Sequence, residues 1–395
     1  MPKPFRAAIL CATALLALSL SACGGGGGGD DDDDELIPAF GVIGQADFVS
    51  ARPNRGGSAT AATLAQPLGN IATDGSKLYI ADTANSRVLG FNSIPSSNGA
   101  VADFVLGQSS VSGISPGTAA NRLAQPGSVY TDGNRLVVAD SGNNRVLIWN
   151  TLPQTTGALP DVVLGQADFN SSQSGTSERL LAYPTAAILA GNRLVVADQN
   201  NNRVLVWNQI PTVSNTPADQ VLGQTSFVTN VAEDAAEQMN RPVALWSDGF
   251  RLLVADSGNN RVLAWQLFPQ QQFAARADYV IGQTDFNRST AGSSSSTLRT
   301  PFGVSSDGTY LYIADSGNNR VLRFDGFPLA NGLAASEVYG QADFTHNTAN
   351  DADQDADIDD TPDATTLNGA SGVYVSNGVL YVTDRNNNRV LQFPQ

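Results

Sequence analysis

The stretch LYIADTANSRVLGFN, residues 78–92, decides the fold because the chain repeats it. Two short apolar runs flank a polar turn, which is typical of two antiparallel strands joined by a tight connection. The similar stretches are LVVADSGNNRVLIWN (136–150), LVVADQNNNRVLVWN (194–208), LLVADSGNNRVLAWQ (252–266), LYIADSGNNRVLRFD (311–325) and LYVTDRNNNRVLQFP (380–394). Together they indicate an array of similar structural units.

The arginines of these stretches mark the period. They are separated by 58, 58, 58, 59 and 69 residues and are Arg87, Arg145, Arg203, Arg261, Arg320 and Arg389. A second phrase, Gly-Gln followed in most copies by Phe, recurs with Gln45, Gln108, Gln166, Gln224, Gln283 and Gln341. Periods of this length are typical of solenoids, propellers or bead arrays.

Residues 301–341 show the content of one unit. A short run follows Pro301, and LYIAD (311–315), RVLRF (320–324) and EVYGQ (337–341) come after it, separated by turn-forming residues. These four runs show no helical periodicity, so one unit is predicted to be a four-stranded antiparallel meander. The middle strands are apolar at nearly every position, as expected when sheets stack blade on blade. Six units therefore predict an all-β, six-bladed β-propeller.

The two ends of the array complement each other. AFGVIGQADF, residues 39–48, corresponds to the fourth strand of a unit, whereas the chain ends at Gln395 just after a third strand. We therefore predict that the N-terminal strand completes the last blade. Such closure removes the open edge that would otherwise invite aggregation, without a disulfide.

These phrases resemble the NHL repeat, in the variant with VLGQ-x-x-F and D-x-x-N-x-R-V that occurs in bacterial exported proteins. The resemblance covers residues 37–395 and implies the propeller fold. Known NHL propellers include sensor domains, RNA-binding modules and an amidating lyase. The resemblance therefore does not select a function.

The N-terminus has the layout of a secretory signal. A basic start, an apolar run from Ala7 to Leu20 and small residues precede Cys23, and the run is short for a membrane span. Residues 20–23, LSAC, resemble a bacterial lipobox, which implies a signal peptide over 1–22 and a lipidated Cys23. By resemblance to enterobacterial sorting, Gly24 argues against retention in the inner membrane. We therefore expect a lipid-anchored protein of the bacterial cell envelope, on the outer membrane, facing the periplasm or the surface.

Residues 23–36 follow the predicted signal and contain six glycines and five aspartates, so they are predicted to be a solvated tether. The propeller is predicted over 37–395. The only cysteines are Cys11 and Cys23, so the mature domain would contain no disulfide.

The composition excludes several classes of function. With 22 basic and 37 acidic residues, the net charge is −15, which makes nucleic acid a poor partner. One histidine and two cysteines are too few for histidine-based catalysis or a Cys/His zinc site. His346 lies in a polar loop, where a lone histidine is usually solvated rather than catalytic.

The repeated Asp and Arg are the first candidate site. They could form a charged ring that grips a ligand, or the Asp could accept turn N–H groups while the Arg bridges to it or to the next blade. Their use in every blade favours the structural interpretation. The pairs are Asp82/Arg87, Asp140/Arg145, Asp198/Arg203, Asp256/Arg261, Asp315/Arg320 and Asp384/Arg389.

The predicted innermost strands are the second candidate, because propeller enzymes usually bind substrate or metal near the channel. These strands begin with small, uncharged residues: Gly69, Asn70, Gly127, Ser128, Thr185, Ala186, Val243, Ala244, Gly303, Val304, Gly372 and Val373. By resemblance, the amidating lyase of the NHL group would need histidine ligands for zinc, and lactonase-type propellers would need acidic groups for calcium. Neither set is visible at these positions, and no catalytic residue is predicted.

The third candidate is an acidic insertion in the last unit, DADQDADIDD (351–360). Alternating carboxylates suit a loop that wraps oxygen ligands around calcium. The fit is incomplete, because Ala356 and Pro362 stand where an EF-hand-like loop would have Gly and Glu. A solvated acidic loop is the alternative interpretation. The candidate calcium ligands are Asp351, Asp353, Asp355, Asp357 and Asp359.

The insertion lies in the connection between successive blades, which is the longest connection of every unit. We expect these connections to share one face with the Asp-Arg turns and to carry binding specificity. The preferred function is a non-catalytic scaffold that binds a protein or glycan partner there, with no cofactor and with membrane contact through the Cys23 lipid alone. The alternatives are a propeller enzyme, such as a lyase or lactone hydrolase, and a calcium-dependent adhesin.

Overall fold

The computed structural model describes residues 36–395, so the predicted signal peptide, Cys23 and nearly all of the tether lie outside the described residues. Within the described part, the chain forms six four-stranded antiparallel sheets, one for each sequence unit. We number these blades 1 to 6 in chain order. The strands are β1 (Gly41–Ile43); β2 (Ala72–Thr73), β3 (Leu78–Asp82), β4 (Arg87–Phe91) and β5 (Phe104–Leu106) in blade 1; β6 (Pro126–Thr131), β7 (Leu136–Asp140), β8 (Arg145–Trp149) and β9 (Val162–Leu164) in blade 2; β10 (Pro184–Ala190), β11 (Arg193–Asp198), β12 (Arg203–Trp207) and β13 (Gln220–Leu222) in blade 3; β14 (Pro242–Ser247), β15 (Leu252–Asp256), β16 (Arg261–Trp265) and β17 (Tyr279–Ile281) in blade 4; β18 (Pro301–Ser306), β19 (Tyr310–Asp315), β20 (Arg320–Asp325) and β21 (Glu337–Tyr339) in blade 5; and β22 (Ala370–Ser376), β23 (Val379–Asp384) and β24 (Arg389–Pro394) in blade 6.

The turn between the second and third strands of a blade has one recurring geometry. A residue with a left-handed backbone, φ 51–55°, precedes the arginine in every blade, and Asn tolerates this conformation better than most residues. These residues are Ser86, Asn144, Asn202, Asn260, Asn319 and Asn388. The short helices of the described part are 3₁₀ turns at Pro53–Gly56, Thr83–Asn85, Ser141–Asn143, Gln199–Asn201, Ser257–Asn259 and Ser316–Asn318. No helix in residues 36–395 has the length and apolar character needed to cross a bilayer.

Strand β1 closes the ring. It pairs antiparallel with β24, with Gly41 opposite Gln392 and Ile43 opposite Val390, so the sheet of blade 6 has the order β1-β24-β23-β22. This pairing confirms the prediction that the N-terminal strand supplies the missing outer strand. Hydrogen bonding along β1 covers the edge that β24 would otherwise expose.

The cores lie between neighbouring blades. Val195 of blade 3 and Val254 of blade 4, for example, belong to one buried cluster, and the middle strands are buried on both faces. The aromatic residues at or next to the end of the third strands are also nearly fully buried: Phe91, Trp149, Trp207, Trp265, Phe324 and Phe393. Burial on both faces explains the apolar runs of the sequence, and the all-β, six-bladed propeller is confirmed.

The connections divide between two faces of the ring. The loop face carries the Asp-Arg turns and the connections from each outermost strand to the next innermost strand, which are 44–71, 107–125, 165–183, 223–241, 282–300 and 340–369. The turn face carries the connections between first and second strands and between third and fourth strands. The acidic insertion, within 340–369, therefore belongs to the loop face.

Candidate functional site

Each Asp-Arg pair is a buried ion pair at the loop face. The Asp ends the second strand, the Arg begins the third, and the two stand opposite each other in register, as Asp198 and Arg203 do. Their Nε to Oδ2 distances are 2.6–2.9 Å, and the side chains are 0% exposed. A ligand on the surface could not touch these groups, so they do not form a binding ring.

The aspartate is saturated by donors from its own blade. In blade 3, Asp198 accepts hydrogen bonds from the Ala182 backbone N–H at 2.7 Å, from Asn201 Nδ2 at 2.8 Å and from Arg203 Nε at 2.7 Å. Burial raises the pKa of Asp198, whereas the charge of Arg203 and these donors act in the opposite direction. The Asn of the motif thus serves to complete the solvation of a buried carboxylate.

The arginine ties two successive long connections together. Arg203 Nη2 donates to the carbonyls of Ser177 and Leu180, both at 2.9 Å, in the connection that enters blade 3. Its Nη1 donates to the Phe227 carbonyl in the connection that leaves it. The other five arginines make the same bridge. Each pair is therefore a clamp on the loop backbone.

The repeated glutamine adds a second anchor to each long connection. Gln166 Nε2 donates to the carbonyls of Asn144 and Gln173 at 2.8 and 2.9 Å, and its Oε1 accepts the Gln173 N–H at 3.0 Å. All six glutamines are at most 5% exposed. They join the start of each connection to the left-handed turn residue of the same blade.

Side chains at the tips of these connections remain free for contact. Exposed apolar residues stand on several of the connections at the loop face: Val49, Val111, Ile114, Val228, Val231 and Ile358. They differ in identity and position from blade to blade. The loop face thus combines a backbone held by buried clamps with a variable exposed surface.

The acidic insertion brings together three of its five predicted ligands. Asp351, Asp353 and Asp355 can each offer one oxygen such that these atoms lie within 4.8 Å of one another. Asp351 is buried, and its carboxylate accepts the backbone N–H groups of Asp355 and Ala356 at 3.1 and 3.0 Å. The loop thereby folds around the first carboxylate of the run.

The remaining two predicted ligands lie outside this group. Asp359 Oδ2 accepts the Ala352 N–H at 2.8 Å, and the exposed Asp357 donates its own N–H to Asp355 Oδ1 at 2.9 Å. Asp359 therefore holds the loop together. Strict alternation in sequence does not bring all five carboxylates to one point, because the backbone turns within the run.

His346 is half-buried beside an acidic residue. Its Nδ1 lies 2.9 Å from Asp343 Oδ1, and its backbone N–H donates to the same oxygen at 3.0 Å. Burial tends to raise the pKa of Asp343, but hydrogen bonds from His346 and Thr345 outweigh it and hold that pKa well below its usual range. Asp343 thus holds the backbone turn at residues 343–346.

The channel differs from the expectation at one end. Near the loop face the innermost strands present the small residues that the sequence suggested, including Gly69 and Ser128. Near the turn face, however, Tyr130, Trp246 and Tyr374 line a cavity. These aromatic residues were not predicted from the sequence, although each stands four residues after the residue that begins its strand. None of the described residues that line the cavity is charged.

The sequence profile of the NHL repeat matches residues 367–393, which span the three C-terminal strands of blade 6. No curated protein is significantly similar to the chain.

Among solved structures, the chain is similar to the WD40 β-propeller domain of Doa1, with 10% identity, a TM-score of 0.48, and coverage of 91% of this chain and 93% of that one. It is also similar to the hydrazine synthase of Kuenenia stuttgartiensis, with 15% identity, a TM-score of 0.46, and coverage of 86% and 98%. For virginiamycin B lyase from Staphylococcus aureus, the identity is 11%, the TM-score 0.43, and the coverage 84% and 95%. These similarities carry no information on activity.

The other five blades repeat the strand order, the turn and the buried ion pair of the matched segment. The chain is therefore a six-bladed β-propeller that contains an NHL repeat.

Proposed function

We propose that this protein is a non-catalytic binding propeller that recognises a protein or glycan partner through its loop face. The observation that carries the proposal is the set of buried Asp-Arg clamps. Each clamp fixes the backbone of two connections while leaving their tips exposed, as Arg203 does for the connections containing Ser177 and Phe227. Loops held in advance lose less conformational entropy on binding, which favours affinity.

The proposed cellular setting comes from the N-terminal sequence. A lipid on Cys23 would anchor the protein in the bacterial cell envelope, and the Gly/Asp-rich residues up to Leu36 would keep the propeller away from the anionic headgroups. We place the protein on the outer membrane, facing the periplasm or the surface. Mass spectrometry of the mature N-terminus tests the lipid, and an unmodified Cys23 would refute the anchor.

The binding proposal is tested with two matched triple variants. The first carries Val49→Asp, Val111→Asp and Val228→Asp on the loop face, where the exposed fractions are 54%, 41% and 70%. The second carries Val101→Asp, Val213→Asp and Leu267→Asp on the turn face, where they are 67%, 67% and 76%. Both sets place charge on exposed apolar positions, so neither should unfold the ring.

Tagged wild-type and variant proteins are then used to capture partners from a bacterial envelope extract. We expect a stoichiometric partner with the wild type and the turn-face variant, and its loss with the loop-face variant. Loss with the turn-face variant alone would indicate an interface on the turn face and would contradict the proposal. The absence of any specific partner would contradict a scaffold function.

An enzyme of the lyase or lactone-hydrolase kind is the alternative class. Metal analysis of the purified protein distinguishes it from a scaffold, because such propellers use zinc or calcium in catalysis. One equivalent of tightly held metal that Asp353→Asn does not release would favour the enzyme.

A calcium-dependent adhesin is the second candidate, favoured by the grouping of Asp351, Asp353 and Asp355. Three carboxylates at this separation repel each other, and a divalent cation would relieve the repulsion. Calorimetric titration with calcium should give binding heat that Asp353→Asn weakens about tenfold. The matched control Asp360→Asn, at an exposed position of the same loop, should bind as the wild type does. No heat at millimolar calcium would exclude the site.

A further inference from the structure

The innermost strands come together at the loop-face end of the channel. A Cβ atom on Gly372 would lie 1.9 Å from the carbonyl oxygen of Gly69, and one on Gly69 would lie 2.3 Å from that of Gly127. Backbone therefore packs directly on backbone between blades 6, 1 and 2, and no side chain fits between them. The channel is narrow at this end, and a ligand could enter it only from the turn face.

Asn70 of blade 1 bridges the channel next to these glycines. Its Nδ2 donates to the Val304 carbonyl of blade 5 at 3.1 Å, and its Oδ1 accepts the Val373 N–H of blade 6 at 2.9 Å. One of its two N–H groups is left without a partner among the described residues. Because Asn70 is half-buried and also lines the channel cavity, this N–H is available to a ligand.

Toward the turn face, the channel holds a cavity of about 170 Å³. Three aromatic residues that line it share one register position in blades 2, 4 and 6. Tyr130, Trp246 and Tyr374 each pair with the residue directly after the leucine that recurs in the second strand. The residues at this position in blades 1, 3 and 5 are smaller: Ala72, Ile188 and Ser305. Aromatic and smaller residues thus alternate around the channel.

The hydroxyl groups of Tyr130 and Tyr374 are open to the cavity. Both side chains are half-buried and line it, and neither hydroxyl has a hydrogen-bond partner among the described residues. Burial raises the pKa of both tyrosines, and the pKa of Tyr130 is raised further by Tyr374. The two hydroxyls therefore stay neutral and lie near each other, and each can both donate and accept a hydrogen bond.

Two serines and an indole complete the accessible wall. Ser247 and Ser306 are half-buried, and each already donates to a carbonyl and accepts an N–H within the turn that follows it. A hydroxyl oxygen can accept two hydrogen bonds, so each serine keeps one acceptor position for a ligand. Trp246 Nε1 donates to the Ser306 carbonyl at 3.0 Å, which holds the indole in place. The wall thus offers donors, acceptors and an aromatic ring.

The chemistry of the wall determines which ligand fits. None of the described residues that line it is charged, and the nearby Arg251 is paired with Asp248 at 2.7 Å. A charged ligand would therefore lose its hydration without gaining a counter-charge. A purely apolar ligand would displace water from the tyrosine hydroxyls without replacing its hydrogen bonds. Hydroxyl groups suit this wall because each can donate and accept, and the C–H face of a saturated ring can pack against Trp246.

We propose that the cavity at the turn-face end of the channel binds an uncharged cyclic polyol of monosaccharide size. Its volume equals that of about five or six water molecules, which suits one such ring with its hydroxyls. The ring packs against Trp246, and its hydroxyls bond to Tyr130, Tyr374 and the two serines. This site is separate from the loop face and does not depend on the proposed scaffold function.

The test compares probes that differ in one chemical property. Saturation-transfer NMR measures the binding of glucose, galactose, mannose and myo-inositol to the full chain at millimolar concentration. Cyclohexanol has the ring of inositol with a single hydroxyl, and glucuronate is glucose with a carboxylate. We expect at least one of the neutral polyols to bind several-fold more tightly than both comparison compounds.

Removal of the tyrosine hydroxyls tests the hydrogen bonds. Tyr130→Phe and Tyr374→Phe should each weaken polyol binding by about three- to tenfold, and the double variant should weaken it further. Cyclohexanol binding should change less. Neither hydroxyl bonds within the described part of the protein, so these variants should fold as the wild type does. Tyr279→Phe, in the outermost strand of blade 4, is the matched control and should leave polyol binding unchanged.

Tryptophan fluorescence tests the location. Of the four tryptophans, Trp246 lines the cavity, whereas Trp149, Trp207 and Trp265 are at most 3% exposed. Polyol binding should change the emission of the wild type, and this change should vanish in Trp246→Phe. The same change in Trp246→Phe would show that the polyol binds elsewhere and would contradict the proposal.

Three further results would overturn it. These are the absence of binding by all four neutral polyols, equal polyol affinity of the double tyrosine variant and the wild type, or tighter binding of cyclohexanol or glucuronate than of every polyol. The loop-face triple variant should bind the polyol normally, so a failure of the scaffold function would not be mistaken for a failure of this site.

Discussion

The two faces of the propeller use the same pair of residue types in opposite ways. At the loop face, Asp198 and Arg203 are 0% exposed, and the arginine donates to connections more than twenty residues away. At the turn face, Asp132 accepts the N–H groups of Asn134 and Arg135 within one turn, and the Arg135 side chain, 36% exposed, lies 3.0 Å from it. One pair links distant parts of the chain, and the other shapes a single turn.

This difference indicates that burial decides how much an ion pair contributes to the stability of the fold. A buried charge that loses its partner cannot turn to water, whereas an exposed one can. The buried arginine also satisfies backbone carbonyls that would otherwise stay unpaired. The buried motif recurs in all six blades of this chain and holds six long connections in place. Substitution of the turn-face pairs, in contrast, should cost little stability.

The largest expected effect comes from breaking a buried pair. Arg203→Met leaves the Asp198 carboxylate and several loop carbonyls without their donor, so the free energy of unfolding should fall by about 3–5 kcal/mol. Urea denaturation followed by far-UV circular dichroism measures this change. Adding Asp198→Asn should restore part of the loss, because it removes the unpaired charge. A loss below about 1 kcal/mol would contradict the clamp.

The second expected effect concerns the glutamine anchor. Gln166→Ala removes three hydrogen bonds at the start of a long connection, leaves the Asn144 and Gln173 groups unpaired, and should cost about 1–3 kcal/mol. The same denaturation measurement applies. Gln154→Ala, at an exposed position of the same blade, is the control and should change stability by less than about 0.5 kcal/mol. Equal effects of the two substitutions would show that the anchor contributes nothing.

The third effect should be small and sensitive to salt. Arg135→Met makes the same chemical change as Arg203→Met, but at an exposed pair, and should lower the free energy of unfolding by less than about 1 kcal/mol. The loss should shrink further at high ionic strength. A loss of stability as large as that of Arg203→Met would contradict the expected difference between the buried and the exposed ion pairs.

The smallest effect is a change in acid stability at the turn face. Burial tends to raise the pKa of Asp132, but the backbone N–H groups of Arg135 and Asn134 outweigh it, so the folded pKa lies below the unfolded value of 3.8. The resulting stability is complete above pH 3.8 and is lost as the pH falls toward the folded pKa. In Asp132→Asn, the melting temperature should fall less steeply below that pH. An unchanged slope would show that Asp132 does not contribute.

Much of the fold could be predicted because its signals are local and repeated. Each unit carries its own strands, turn residues and apolar runs, so the blades and the closure by β1 follow from comparing copies. The clamps were predictable only in part. The sequence indicates that Arg203 meets Asp198, but its reach to Ser177 and Phe227 depends on how two separate connections fold.

The channel was harder to predict because its pleat is interrupted. In blade 2 the strand pairing shifts between Pro126 and Ser128, which changes the face that later residues present. Counting from the proline therefore does not show that Tyr130 borders the cavity. A prediction based only on the repeat period does not detect such single-residue irregularities.

The pairing of β1 with β24 also sets an order of events during synthesis. Val42 can pair with Leu391 only after nearly the whole domain between them has been synthesised. A contact of such long separation forms late, because the closure of a large loop comes first. Until then the sheet of blade 6 lacks its outer strand and offers an unpaired edge to other chains. Among the described strands, the first to be synthesised, β1, is thus the last to find its partner.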